Sequence, residues 1–331
     1  IPEVCSEDAI NAIQKMSDGE IIFLDNVRKN EEEYGVTYSN NKETEDTEIV
    51  SSLSSVSDVF VIDAFAAAHR RSPTLTGFTN SLPCIAGKLM EKEISNLRTA
   101  LRNPPSPYLA ILGGAKCDDS VRVALNLLSK ERVDKIAFVG VTGNLMLWAN
   151  GEDIGNRNKD FIRNTLGEDF EIAWNMSERI MSDYSEKAFL PVDVAIQHEG
   201  RRKQMSVSSL PTDYPIYDVG IQTLRSLKPL VQDARCILWN GPASYFELPE
   251  FAFGTIEILN MCVEADAMTI IGGGHTSALV NSRGVSSQVT HNSTGGGSTM
   301  SFLSGEPMPV IESLKESSLL YDGKLGDLGL E

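Results

Sequence analysis

One local pattern recurs along this chain: a short apolar run, then glycine or small polar residues, then sequence with a helical period. Tyr108 to Leu112 leads into Gly113-Gly114-Ala115-Lys116 and a helix expected from about Asp119. Lys135 to Val139 leads into Gly140 and a helical segment over 144–149, and Cys236 to Trp239 leads into Asn240-Gly241-Pro242. Met268 to Ile271 precedes Gly272-Gly273-Gly274 and a helix around Thr276 to Asn281. Val289 to Asn292 precedes Ser293-Thr294-Gly295-Gly296-Gly297 and another short helix. Strands alternating with helices at this spacing make βαβ units and a mainly parallel sheet. Such sheets bind ligands at the carboxyl ends of their strands, and every glycine cluster here sits at such an end. A single cluster is as readily a tight turn; four converging ones point to binding.

Closer to the amino end, Glu20 to Asp25 and Val59 to Asp63 read as buried strands. Residues 36–57 are rich in Ser, Thr, Asn and charge, and read as an exposed loop leading into a short helix. Ile85, Leu89, Met90, Ile94, Leu97 and Leu101 are spaced three to four apart and predict a helix over 84–102. Asn103-Pro104-Pro105-Ser106-Pro107 stops it. A length of 331 residues, at roughly 150 residues per domain, predicts about two domains.

Hydrophobic residues make up 41% and charged residues 23%, which excludes disorder, collagen and a disulfide scaffold. No uninterrupted apolar run approaches the roughly 20 residues that span a bilayer. The first residues carry no basic segment ahead of an apolar one, so no secretory signal is expected. A net charge of −17 repels nucleic acid and anionic membranes, and neither is expected as a partner. Cys5, Cys84, Cys117, Cys236 and Cys262 are scattered without short pairings, as in a reduced, cytoplasmic protein. The sequence begins at Ile1 rather than Met, as a processed chain or a fragment would.

Glycine lets backbone N–H groups approach phosphate oxygens, and a following helix N-terminus adds a favourable dipole. Gly272 to Gly274 and Gly295 to Gly297 both have that context. Neither G-x-x-x-x-G-K-[ST] nor G-x-G-x-x-G occurs, which argues against a P-loop enzyme and an ordinary dinucleotide dehydrogenase. Lys116, directly after a glycine pair, suits a point charge for a phosphoryl group; a solvated helix-start lysine is the plainer alternative. His69-Arg70-Arg71 is a rare local positive cluster in an acidic chain, suited to carboxylate or phosphate capture. The four histidines have no ligand spacing, so no side-chain metal site is expected. No Gly-x-Ser-x-Gly elbow occurs and no cysteine has an implied histidine partner, so nucleophilic catalysis is disfavoured.

Together these blocks resemble the phosphoglycerate kinase family. The likeness is carried by Leu24-Asp25-Asn26-Val27-Arg28, Asp63-Ala64-Phe65 with His69-Arg70, and residues 86–93 (Ala-Gly-Lys-Leu-Met-Glu-Lys-Glu). It continues through residues 110–116, Leu190-Pro191-Val192-Asp193, Asp218-Val219-Gly220, and Trp239-Asn240-Gly241-Pro242 with Phe246-Glu247. Ile271-Gly272-Gly273-Gly274 and His291 through Gly297 complete it, in family order over nearly the whole length. Asp118-Asp119-Ser120 after the lysine is similar to the archaeal branch.

The resemblance implies an α/β protein of two Rossmann-like three-layer domains with parallel sheets, joined by a long interdomain helix. Residues 1–83 would form an incomplete phosphoglycerate-side domain and 84–102 the helix. Residues 103–305 would bind nucleotide, and 306–331 would return to the first domain. The implied reaction is reversible phosphoryl transfer between 1,3-bisphosphoglycerate and ADP, giving 3-phosphoglycerate and ATP. Mg²⁺ would accompany the nucleotide, hinge closure would exclude water, and the protein would be a monomer. By position, Gly113, Gly114 and Ala115 would line the nucleotide and Lys116 would hold the transferred phosphoryl. Gly140 would lie near the adenine, Asn240 and Pro242 would line the pocket, and Glu247 would accept from the ribose. Gly273, Gly274 and Thr276 would sit at the phosphates. Gly295, Gly296 and Gly297 would offer N–H groups to the transition state, and Arg70 would grip the phosphoglycerate.

The departures from the pattern are specific. Two basic motifs, R-x-D-x-N-x-P and H-x-G-R-P, that open the N-terminal domain in the family do not occur in this sequence. Ser106 stands where an arginine is usual, His275 where a metal-binding aspartate is common, Val139-Gly140 in place of a glycine pair, and Ala243-Ser244 after the Trp-Asn-Gly-Pro block. They leave open a non-catalytic nucleotide-binding or regulatory relative that has lost the acceptor site.

Overall fold

In the computed structural model, which describes residues 3–322, the sheets follow from where apolar runs find neighbours. The strands are β1 (Phe60–Ile62), β2 (Cys84–Ala86), β3 (Tyr108–Leu112), β4 (Lys135–Phe138), β5 (Ala188–Phe189) and β6 (Asp193–His198). They continue with β7 (Arg201–Ser206), β8 (Ile216–Val219), β9 (Cys236–Asn240), β10 (Met268–Gly272) and β11 (His291–Asn292). The chain divides into two compact units. The first runs up to Ile94 and resumes at Pro307; the second is Ser95–Glu306.

The second unit is built on a six-stranded sheet of order β11-β10-β9-β3-β4-β5, parallel at every junction. All five residues of β3 are buried, as expected of an apolar strand covered on both faces. From β3 the chain lays β4 and β5 to one side, then returns to add β9, β10 and β11 on the other. The order therefore reverses at β3, and ligands of open α/β sheets bind outside the strand ends at such a point. In register, Leu112 lies beside Asn240 on one side and Phe138 on the other, so three strands end level. Helices 221–233, 253–264 and 274–282 help cover the sheet, burying Leu227, Ile258 and Val280 in one cluster with Ile111, Val139 and Trp239.

A small antiparallel sheet of order β7-β6-β8 joins this unit, an element outside the expected parallel pattern. Glu199 (φ 49°) and Gly200 (φ 76°) make its two-residue hairpin turn. Successive positive φ angles suit the twist of a hairpin.

Among its described residues the first unit has two strands, β1 and β2, paired parallel. Its buried cluster is Val4, Ile49, Val50, Phe78 and Leu82. Three expectations change here. Glu20 to Asp25, expected as a buried strand, is extended but joins no sheet, and Ile21 and Phe23 are 81% and 85% exposed. Leu24 packs in part against the cluster, but no strand lies beside this run to take up its backbone groups. Residues 36–57, expected as an exposed loop leading into a short helix, form two short helices, Asn41–Glu45 and Glu48–Ser54. Asn40 accepts from the Glu43 N–H at 3.0 Å while Glu43 accepts from the Ser39 N–H at 2.8 Å. This is a reciprocal cap, and polar composition had hidden both it and the buried pair Ile49 and Val50.

Cys84 to Ala86, expected as helix, form β2, and the helix proper is Lys88–Arg102. Asp63 at the end of β1 accepts from the Met90 N–H at 2.8 Å, satisfying an amide of its first turn. The helix continues from the first unit into the second. Helix Pro309–Leu320 belongs to the first unit, where the Cys84 N–H donates to Ser317 Oγ at 2.8 Å. Residues 323–331 of the segment expected to return there lie outside the described residues. Among the described residues, no helix is long and apolar enough to cross a membrane.

Candidate functional site

The loops after β3, β4 and β9 brace one another backbone to backbone. The Gly113 N–H donates to the Asn240 carbonyl and the Gly114 N–H to the Pro242 carbonyl, each at 2.8 Å. A Cβ on Gly113 would lie 2.6 Å from the Pro242 oxygen, and one on Gly241 would lie 2.3 Å from the Gly113 oxygen. At Gly140 (φ +60°) the corresponding gap to Pro242 is 2.5 Å. Any side chain would part these strand ends, so loop packing alone requires glycine at the three positions. The Trp239 indole N–H donates to the Gly241 carbonyl at 2.9 Å and fixes the turn from below. Gly274 and Gly296 differ: nothing lies within 4 Å of a Cβ at either, so their backbones face open space.

That space is a cavity of about 1130 Å³ within the second unit, at the upper end of the roughly 300–1,000 Å³ usual for small-molecule sites. It is lined by Gly113, Gly114, Ala115, Lys116, Gly140, Asn240, Pro242, Glu247, Gly273, Gly274, Thr276, Gly296 and Gly297. Two predicted residues are not among its lining. Gly295 is buried and its N–H donates to Ser293 Oγ at 3.1 Å. Arg70 is exposed on the first unit, just after the turn at Phe65–Ala67. The Thr276 hydroxyl donates to the Gly272 and Gly273 carbonyls, so it caps its own turn.

At one end of the cavity the groups suit an anion. Helices Gly274–Ser282 and Gly297–Ser304 both begin there with glycine, leaving unbonded N–H groups and the positive ends of their dipoles. Lys116 stands exposed at the start of helix Cys117–Ser129. Asp119 lies within a turn of it, its carboxyl raised by burial and by Asp118 and drawn back by Lys116. Asn240 is 6% exposed and its Oδ1 has no hydrogen-bond partner. An orphaned buried acceptor costs about 1–3 kcal/mol, which a bound ligand would relieve.

Beyond these groups the lining also includes Val141, Pro191, Val194, Pro215, Tyr217 and Tyr245. Sequence reasoning assigned none of these a role, because apolar residues on strands and their flanks read as core. Asp218 anchors this wall: it accepts from Arg202 Nη2 at 3.1 Å, the Gly254 N–H at 3.1 Å and the Val219 N–H at 2.8 Å. Burial pushes its carboxyl up to about 7, against the pull of the Gly254 N–H and Arg202.

Burial likewise pushes the Cys117, Cys236 and Cys262 thiols up to about 12, far from a reactive thiolate. Of the residues departing from the family pattern, Ser106 donates to Asp134 Oδ2 at 3.0 Å, and His275 lines the cavity edge-on to Phe246. Among the described residues, no three His, Cys, Asp or Glu side chains gather as a metal site.

A family model described as phosphoglycerate kinase matches residues 1–306. The phosphoglycerate kinase of Thermoplasma acidophilum is 40% identical over 312 residues, 94% of this chain and 76% of that one. That of Pyrococcus furiosus is 39% identical over 321 residues, 96% and 77% of the two chains. The crystal structure of phosphoglycerate kinase from Pyrococcus horikoshii OT3 superposes with a TM-score of 0.88 at 35% identity, covering 97% of this chain and 78% of that one. The enzyme structure from Coxiella burnetii gives 0.73 at 30% identity, covering 88% and 72%.

Proposed function

The chain belongs to the phosphoglycerate kinase family, and we propose that the cavity of its second unit is the nucleotide site of that enzyme's reaction. The activity is reversible phosphoryl transfer between 1,3-bisphosphoglycerate and ADP, giving 3-phosphoglycerate and ATP, a step of glycolysis and gluconeogenesis. The convergence of Lys116 and two glycine-led helix N-termini on one cavity carries this reading.

The transferred phosphoryl passes through a loose transition state, so the protein's work is positioning and charge stabilisation. Lys116 supplies the point charge for the moving group. The N–H groups at Gly296 and Gly297 face its equatorial oxygens, where fixed donors are worth most. Gly295, whose N–H is taken by Ser293, shapes that loop. Gly273, Gly274 and the backbone at Thr276 hold the nucleotide phosphates, and Asn240 lines the nucleotide pocket. Gly113, Gly114, Ala115 and Pro242 line the nucleotide's length, Glu247 accepts from the ribose hydroxyls, and Gly140 lies against the base. Mg²⁺ enters as part of the nucleotide substrate, because a hard cation that keeps several waters is well served by phosphate oxygens. Arg70, on the first unit, grips 3-phosphoglycerate. Five free cysteines suit a reducing compartment, and we assign the enzyme to the cytoplasm as a monomer.

The test is a coupled ATP assay. Lys116→Ala is expected to cut turnover at least about 100-fold, or about 2.7 kcal/mol of barrier, with the fold intact by circular dichroism. An unchanged rate refutes the assignment of Lys116.

A further inference from the structure

Three asparagines that line the cavity are each 6% exposed: Asn144, Asn158 and Asn240. Equal burial poses one question for all three, namely what satisfies the amide. For Asn158 the protein does: Nδ2 donates to the Ile154 carbonyl at 2.8 Å and the Tyr214 carbonyl at 3.1 Å. Its Oδ1 accepts from the Ile216 N–H at 3.0 Å, so this asparagine is structural. Asn240 faces the Gly273 turn at the phosphate end, since Cβ atoms on Gly272 or Gly273 would lie 3.0 Å from its Oδ1. Asn144 is the unexplained one: no hydrogen bond joins its side chain to any described residue.

Its place along the helix Gly140–Ala149 indicates what it meets. Gly140 opens that helix beside the loop after β3, where its Cβ would lie 3.1 Å from the Gly114 nitrogen. Asn144 is one turn further on the same face, about 6 Å along the axis. It precedes the buried Leu145, Met146 and Leu147 in this helix. Its amide atoms are not among the buried ones that lack a partner, so they stay accessible in the cavity the residue lines and are left for a ligand. The cavity's apolar walls accept a planar base, and a few placed polar groups then fix its identity.

We propose that Asn144 reads the nucleobase, accepting from the exocyclic amine of adenine and donating to the adjacent ring nitrogen; this rests on the cavity being the nucleotide site. An asparagine offers one donor and one acceptor side by side, matching adenine's amine and its neighbouring acceptor nitrogen. A 6-oxopurine with the same placement presents an acceptor at position 6, leaving the Asn144 oxygen unpaired.

Calorimetry on the whole chain tests this with three diphosphates differing at one position: ADP, inosine diphosphate, and purine riboside diphosphate, which lacks the exocyclic group. In the wild type, ADP is expected to bind about tenfold tighter than either, the worth of a hydrogen bond that otherwise leaves a buried group unpaired. Asn144→Leu should erase that margin by weakening ADP while inosine diphosphate stays within about threefold. Lys116→Ala should weaken all three alike. Equal affinities in the wild type, or an undiminished preference for ADP in Asn144→Leu, overturn the proposal while leaving the site reading standing. Absence of all three from the wild type overturns both. Should Asn144→Leu fail to fold, the wild-type series decides by itself.

Discussion

Both units begin from the same device, an apolar run feeding a parallel strand, and they end differently. In the second unit β3 has a neighbour on each side, every residue of it is buried, and its end stands level with β4 and β9. In the first unit β1 has one neighbour, its middle residue Val61 is 58% exposed, and the run at Ile21 and Phe23 joins no sheet. A binding site of this kind needs several strand ends side by side, because one loop cannot enclose a ligand. The second unit has them and carries a cavity; the first has two short paired strands.

That contrast predicts unequal sensitivity to truncation. Trp239→Ala, in the fully buried centre of the second unit, is expected to lower stability by about 3–5 kcal/mol. Ile21→Ala should change it by no more than about 0.5 kcal/mol. Urea titrations followed by circular dichroism measure both, and comparable losses would break the comparison.

A second difference is in pH. Asp218 belongs to the second unit, and its carboxyl is raised from 3.8 to about 7. Between those values the folded state holds a proton that the unfolded chain has lost, so this group's stabilisation is full below about 3.8 and lost as pH rises through about 7. The slope is at most about 1.4 kcal/mol per pH unit. Unfolding of the wild type and of Asp218→Asn from pH 4 to 8 should differ by a term falling with pH; a flat difference removes this account.

An effect on substrate binding should fall on the first unit alone. Arg70→Ala is expected to raise the KM for 3-phosphoglycerate about tenfold, the loss of a charged hydrogen bond, with ADP affinity unchanged. A matching loss of ADP affinity would show that Arg70 serves the nucleotide as well.

The legible parts were those in which residue type dictates backbone behaviour. Tyr108 to Leu112 was readable to the residue because an apolar run between a proline stop and a glycine pair has few alternatives. The glycine loops were readable as a group, but the reason for glycine was not. At Gly113, Gly140 and Gly241 the requirement comes from carbonyls on other loops, whereas at Gly274 and Gly296 a Cβ would meet open space. Helix Asn41–Glu45 was missed, within a segment expected as a loop leading into one short helix, because polar side chains capping a helix look like those of a loop. The hairpin through Glu199 and Gly200 was missed because its strand Arg201–Ser206 is mostly polar. Asn144 carried a signal, a single amide among leucines, that means nothing until its partners can be counted.

By itself the sequence determined the alternation of strands and helices, the glycine-led loops at strand ends, Lys116 among them, and the family. These follow from local chemistry: which residues bury, which turn, which carry charge. The tertiary structure decided which loops share a cavity, which apolar residues form its wall, and which buried amides are left for a ligand. Those are relations among residues distant in the chain, set by strand order and register, and no local preference encodes them.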